Sequence, residues 1–336
     1  MGLRRRAGDG VMLGVSAPPC PLAPPLPGPL APPLARPLPR PLAILNGFGI
    51  SLGDSVIGLQ ALWAAMQLGH VTAPPLLVRR PGLRPMVDLV YPLAADFCSV
   101  RPLPEGLNPA ALLRDGFERV IDIRDFAFDP GFRGVAMIDF FLARLRLDPH
   151  VVPATLKRNL WLADRVRSVR PAVGEGYALV CPSSSMVLRD MPEPVHRRIQ
   201  AWLLARGLTV VTQGTPVGGA VAAPVAEGME TLCGLVKHAA CVISTDTAMV
   251  HLADAFSVPC LAFFTTHRPA WRVRDYPFCT PVYLRPEGLP EALEFMRGPG
   301  DLSAVMAAWE RAGSDLGWID DLLERFVRTV DVAARR

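Results

Sequence analysis

The sequence contains no run of about 18 apolar residues, and so no segment that reads as a membrane-spanning helix. It has seven cysteines, Cys20, Cys98, Cys181, Cys233, Cys241, Cys260 and Cys279, and none forms a Cys-x-x-Cys pair. Several lie inside apolar runs such as Ala178–Cys181 and Pro259–Phe264. That argues against a disulfide framework or a thiolate metal site, and for small core hydrophobes in a reducing compartment. No pair of acids stands out as a metal site, so neither a metal nor a cofactor is expected. The net charge is only +4, too little for a protein that binds nucleic acid by electrostatics. The opening MGLRRRAGDGVMLGVSA has the look of a secretory leader, but its apolar core, Val11–Val15, is too short. Gly2 does not open a lipidation motif, because Arg6 stands where a hydroxyl residue is required.

What the chain does have is length and apolar content. Its 336 residues, half of them apolar, suffice for two α/β domains. Proline dominates from Pro18 to Pro41 at a density that no helix or interior strand tolerates, and residues 1–41 read as a disordered or polyproline-like tail. Beyond it the pattern alternates. Leu42–Leu45, Leu76–Val78 and Arg119–Ile123 read as strands, and Met86–Val90, Pro109–Arg114 and Val135–Leu145 as helices. Lys157–Arg170 reads as a basic amphipathic helix, with Pro171–Gly176 as a linker after it. Tyr177–Cys181, Leu208–Thr212 and Cys260–Phe264 then read as strands, and Pro194–Arg206 and Glu230–Ala239 as helices. The division is 42–170, 171–303, and a helical region 304–336 placed to pack back across both.

The most informative stretch is Val242–Phe264. Val242 and Ile243 suit a buried strand. Ser244, Thr245 and Asp246 form a polar turn that can cap a helix over Thr247–Phe256, and Pro259 ends that helix before the next strand. A helix N-terminus with free N–H groups beside hydroxyls suits a phosphate or diphosphate. His251 lies one turn in, on the face of Thr247. An ordinary βαβ unit with a capped helix and a satisfied histidine has the same spacing.

Two other loops share that character. Leu42–Leu45 runs into Asn46-Gly47-Phe48-Gly49, then Gly53-Asp54-Ser55 and a helix carrying Val56, Leu59, Trp63 and Met66. The spacing is GxGxxxG instead of GxGxxG, and Arg79 and Arg80 occupy the place of the acid a nicotinamide site needs, so that reading is weak. Asp54 stands at a strand's C-terminal mouth, where ligands of open α/β sheets bind, or it merely caps its helix. After Cys181 comes Pro182-Ser183-Ser184-Ser185, then Arg189-Asp190-Met191-Pro192. Hydroxyls, N–H groups and one guanidinium there suit a phosphate, or form a solvated loop.

Taken together, these residues resemble the heptosyltransferase-type glycosyltransferases of family 9. Leu52-Gly53-Asp54 is similar to the family's Leu-Gly-Asp element. Pro182–Pro192 resembles its Pro-Gly-Ala-Ser loop with Lys, Trp and Pro following. Asp246-Thr247-Ala248-Met249-Val250-His251-Leu252-Ala253 resembles its Asp-Thr-Gly-x-x-His-Leu-Ala signature. The likeness spans roughly residues 42–330. It departs at Ala248 for glycine, Arg189 for lysine, Thr265-Thr266 for Gly-Pro, and in lacking the ribose-contacting glutamate after Thr212, for which Glu227 and Glu230 are substitutes.

The resemblance implies a GT-B fold, an α/β class of two facing Rossmann-like domains, acceptor-side first and nucleotide-sugar-binding second. It implies inverting transfer of a sugar, heptose from an ADP-sugar, to a lipopolysaccharide-core or other glycan or lipid-linked acceptor. Asp54 is then the general base. Ser184, Ser185, Arg189, Thr247, Ala248 and Met249 hold the diphosphate, Asp246 orients the turn, and His251 bonds a phosphate oxygen or the turn. The same expectation makes the protein cytoplasmic, with peripheral contact at the inner membrane through Arg79, Arg80, Arg84 and the 157–170 segment, although a solvated charged face explains those residues as well. The rival reading is a non-catalytic nucleotide-sugar or glycan-binding protein with a degenerate site.

Overall fold

The computed structural model describes residues 41–167, 169–312 and 316–334. The proline-rich stretch read as a tail therefore lies, except for Pro41, outside the described residues.

The first half opens with strand β1 (Leu42–Leu45) and helix α1 (Leu52–Gln67), followed by β2 (Leu76–Arg79), α2 (Pro85–Leu89), β3 (Ser99–Pro102), α3 (Pro109–Arg114), β4 (Arg119–Asp122) and α4 (Met137–Arg144). The sheet is parallel in the order β3-β2-β1-β4, with Ala43 beside Leu76 and Ile44 beside Ile121. β1 is buried throughout, as a strand covered on both faces must be. β3 is exposed along its length and forms the edge, which is why its polar sequence SVRP gives no strand signal.

The second half holds β5 (Tyr177–Cys181), α5 (Glu193–Ala205), β6 (Val210–Thr212), β7 (Val221–Ala222), α6 (Met229–Lys237), β8 (Ala239–Thr245), α7 (Ala248–Ala255), β9 (Cys260–Phe264), α8 (Ala270–Val273) and β10 (Cys279–Tyr283). Its parallel sheet runs β10-β9-β8-β5-β6-β7. The order reverses between β5 and β8, and in the first sheet between β1 and β4. Crevices at such reversals, outside the strands' C-terminal ends, are where open α/β sheets bind ligands. The loops after β1, β4, β5 and β8 border those crevices.

One apolar core joins the halves. It contains Phe48, Val56 and Phe141 from the first together with Leu179, Val242 and Leu252 from the second. The stretch expected as a basic helix over 157–170 is instead a series of short 3-10 turns, at Ala154–Lys157 and Leu160–Leu162. Three of its bases meet acids distant in sequence. Lys157 Nζ lies 2.8 Å from Asp139, Arg158 Nε 2.9 Å from Asp254, and Arg165 Nη2 2.6 Å from Asp96. Lys157 is buried, as is Arg79, which pairs with Asp88 and covers the Tyr91 ring. Neither is available to a lipid surface. The same segment fastens to α1, where Gln60 donates to Leu156 O at 2.6 Å and Trp161 Nε1 to Val56 O at 3.0 Å.

The C-terminal helical region consists of two helices, α9 (Pro299–Arg311) and α10 (Gly317–Ala334). The residues they bury, among them Trp309, Ile319, Leu323 and Phe326, belong to the core on the outer face of the second sheet. Arg198–Asp320 and Arg206–Glu324 ion pairs fix α10 along α5. No helix among the described residues is long and apolar enough to cross a membrane.

Candidate active site between the two sheets

The loop after β1 is a run of left-handed backbone. Asn46, Gly47, Phe48 and Gly49 have φ of 74°, 43°, 70° and 93°. For Asn46 and Phe48 that costs about 1–2 kcal/mol each. Burial of the Phe48 side chain contributes about 1.5–3 kcal/mol in the other direction. Its ring fits over Gly58, where any Cβ would lie 2.1 Å from it, and edge-on to Phe141 at 5.3 Å. Asn46 Nδ2 donates to Arg124 O at 3.0 Å, and the Tyr91 hydroxyl bonds Gly47 O. The turn is thus held from three sides and delivers α1 with Ser51 as its N-cap. The Ser51 hydroxyl accepts from Asp54 N at 3.3 Å.

Asp54 is half-buried in the third position of α1. Burial pushes its carboxyl up to about 6 from an ordinary 3.8; the Ser51 hydroxyl and Arg272 offset only part of this, and Glu294 adds to the rise. It is ionised at neutral pH and still basic enough to take a proton.

In the second half, hydroxyls shape the loops. Thr245 and Thr265, at the ends of β8 and β9, donate to the carbonyls of Arg189 and Leu188. They stitch the 182–191 loop over the strand ends. Ser184 is used within the loop: its N–H reaches Asp190 Oδ1 at 2.6 Å and its hydroxyl donates to Met186 O at 2.6 Å. Ser185 is exposed and accepts from Arg189 Nη2 at 2.9 Å. Thr247 caps α7, its hydroxyl accepting from Met249 N at 3.2 Å. That bond occupies the Met249 N–H, one of the expected phosphate donors, and leaves the Ala248 N–H as the open amide of the first turn.

Asp246 is buried, with Oδ2 3.6 Å from Arg189 Nη1 and 3.8 Å from His267 Nδ1, and without a hydrogen bond. Burial raises its pKa, but Arg189, then Arg272 and His267, more than offset that and hold it below the usual carboxylate range. It is an anion facing the Arg189 guanidinium, where the sequence reading has it orient the turn.

His251 is read through its partners. Asn159 Nδ2 donates to the Tyr276 hydroxyl at 2.7 Å, and that hydroxyl faces His251 Nδ1 at 2.9 Å. Tyr276 stays protonated because burial raises it well above its ordinary value. The hydroxyl therefore donates to Nδ1, which leaves the ring hydrogen on Nε2. Burial pulls the His251 pKa down to about 4, so the ring is neutral. Its Nε2 edge faces α1: a Cβ on Gly53 would lie 3.1 Å from His251 Cδ2, 3.4 Å from Nε2 and 3.8 Å from Ala248 Cα. The glycine before Asp54 is what lets the two helix starts approach.

Sequence reasoning missed three residues here. Tyr276 sets the His251 tautomer. Arg272, buried against the Phe132 ring, and Glu294, 3.3 Å from its Nη2, both act on Asp54. They lie on α8 and a loop without periodic or motif signal. A cavity of about 320 Å³ opens in the first half, lined by Arg80, Glu105, Leu107 and Arg124, at the same sheet end as Asp54. Among the described residues no group of three His, Cys, Asp or Glu side chains is placed to hold a metal ion.

Residues 156–273 match glycosyltransferase family 9 (heptosyltransferase). No curated protein matches the chain by sequence. Among solved structures, the dodecameric iron-containing heptosyltransferase TibC in complex with ADP-D-β-D-heptose is similar at 14% identity and a TM-score of 0.57, over 88% of this chain and 78% of that one. The TibC structure from enterotoxigenic E. coli H10407 is similar at 17% identity and 0.51, over 79% and 65%. E. coli ADP-heptose lipopolysaccharide heptosyltransferase II is similar at 12% and 0.52, over 81% and 99%. At these identities the structural likeness is one of fold, the GT-B arrangement of two facing parallel-sheet halves.

Proposed function

From the premise that this chain is a glycosyltransferase of the family 9 type, we propose that it transfers a sugar with inversion from an ADP-sugar, heptose first among candidates, to a glycan or lipid-linked hydroxyl. Asp54 Oδ takes the proton of that hydroxyl as its oxygen bonds the anomeric carbon. The bond from that carbon to the diphosphate breaks on the opposite side, and its electron pair leaves with the nucleoside diphosphate. The charge that develops falls on the diphosphate, and the Ala248 N–H at the start of α7, the His251 Nε2–H and the Arg189 guanidinium are the groups to stabilise it. No step calls for a metal, and turnover is expected to persist in chelator.

What supports the reading is the approach of the two helix starts. Gly53 against His251 brings a carboxylate able to accept a proton within reach of a phosphate-type cradle from the other half. The donor base rests on the likeness to proteins whose structures hold ADP-heptose. We assign the acceptor to the 320 Å³ cavity beside Arg80 and Arg124, which opens at the same sheet end as Asp54.

The test is calorimetric titration of the full chain with ADP, UDP, GDP and NADH, then product analysis with the matching sugar nucleotide. Selective ADP binding with transfer supports the reading. Preference for UDP or GDP replaces the donor, NADH binding alone overturns the transferase, and nucleotide-sugar binding with no product from any acceptor favours the non-catalytic rival.

A further inference from the structure

Glu294 lies outside the family match and on no motif, yet it is built into the seam between the halves. Its Oε1 accepts from His267 Nε2 at 2.9 Å and from Arg272 Nη2 at 3.3 Å. The Thr266 hydroxyl, 2.9 Å from His267 Nδ1, fixes that tautomer. Backbone bonds hold the segment as well: Leu293 N donates to Thr266 O at 3.1 Å, and Ala292 pairs with His267. On either side, contacts reach the same first-half segment. Phe295 stacks on Phe128 at 5.4 Å with an interplanar angle of 14°, and Arg272 covers Phe132. Glu294 Oε2 makes no bond among the described residues, and the side chain is 27% exposed while its neighbour Arg272 is 6% exposed. A rigidly held carboxylate is thus left with one oxygen free and partly exposed.

The chemistry of that place is distinct from the phosphate cradle. A chain of contacts leads from Arg189 through Asp246 and His267 to Glu294. At the Arg189 end, N–H donors and a cation suit a diphosphate. At the Glu294 end, an anion repels phosphate and accepts from hydroxyls, while the adjacent guanidinium donates to them. An acceptor and a donor side by side suit a polyol.

We propose that Glu294, held by His267 and Arg272, is a specificity-determining residue that binds a hydroxyl of the transferred sugar through Oε2. The assignment rests on the donor reading given above and deepens it. The sugar then lies between the diphosphate at α7 and the base Asp54, and Glu294 selects sugars with a hydroxyl in its reach.

The experiment compares ADP with ADP-heptose, and with the monodeoxy forms of ADP-heptose, on the full-length wild type and on Glu294→Gln. Glutamine keeps the shape and can still accept from His267, and matching melting temperatures check the fold. In the wild type, ADP-heptose is expected to bind more tightly than ADP, and one monodeoxy donor to lose about 10- to 100-fold in kcat/KM, the range for a hydrogen bond to a charged group. Glu294→Gln is expected to lose the same factor with ADP-heptose, to be indifferent to that one deoxygenation, and to bind ADP like the wild type. Additive losses from the variant and every deoxy donor, or equal loss of ADP and ADP-heptose affinity, overturn the assignment while leaving the donor reading in place. Failure of the wild type to bind ADP takes down both.

Discussion

Asp54 and Asp246 both stand where a central parallel strand gives way to a helix, Asp54 in the first turn of α1 and Asp246 just ahead of the cap of α7, yet their environments push them apart. Asp54 is enclosed with only partial compensation, and its carboxyl rises to about 6. Asp246 is more deeply buried, but Arg189 and Arg272 reverse the effect and lower it. Burial alone therefore does not decide what a carboxylate becomes; the cations within a few ångströms do. One half keeps its aspartate ready for a proton, and the other keeps its aspartate permanently charged.

The comparison breaks most clearly in turnover. Asp54→Ala is expected to lower it by at least about 10²-fold with ADP affinity close to wild type, and near-normal rates would remove Asp54 as the base. Stability sharpens it next, because the two groups have opposite signs. Asp54 holds its proton more tightly folded than unfolded, so its contribution is complete below an ordinary 3.8 and is lost as the pH rises through about 6. Asp246 contributes above the unfolded value and loses that contribution as the pH falls through its depressed one. At pH 7, Asp54→Asn is expected to raise the melting temperature and Asp246→Asn to lower it, each by on the order of 1–3 kcal/mol in stability. Shifts of the same sign in both variants would contradict the contrast.

The pH profile gives a finer reading. The acid limb of kcat/KM is expected near pH 6, and higher in Arg272→Met, where a cation that favours ionised Asp54 is gone. A limb near pH 4 would mean that the carboxylate is solvated. The smallest effect belongs to Tyr276→Phe. With the Nδ1 partner lost, the His251 tautomer is no longer fixed, and turnover is expected to fall roughly three- to tenfold, about one hydrogen bond. An unchanged rate would show that the tautomer does not matter.

How far the sequence carried this site depended on whether a residue's partners lie near it in the chain. Asp54, Asp246, Thr247 and His251 stand at strand–turn–helix junctions, where apolar runs, glycines and caps give local signals. Cys260–Phe264 and Pro109–Arg114 are legible to the residue for the same reason. Lys157, Arg158 and Arg165 misled because their spacing looks amphipathic, while the acids that bind them are 18, 96 and 69 residues away. Glu294 and Arg272 were invisible because nothing local marks them. Local contacts also differ from the expectation: Ser184 and Thr247 fold their hydroxyls into the loop and the cap, which spacing alone does not reveal.

The meeting of α1 and α7 at Gly53 has a kinetic consequence. Two helix starts carry like partial charges of about +0.5 each, and here they point into one gap with two guanidinium groups, tempered by three carboxylates. A diphosphate drawn to the amides at the start of α7 meets both walls of that gap. Transfer leaves that diphosphate more negative than it was in the sugar nucleotide. The spent donor should therefore clamp the halves harder than the fresh one, and its departure should limit the cycle. The expected sign is a burst of transferred sugar in the first turnover, followed by slower steady release; a linear onset would mean that chemistry, not opening, is the slow step.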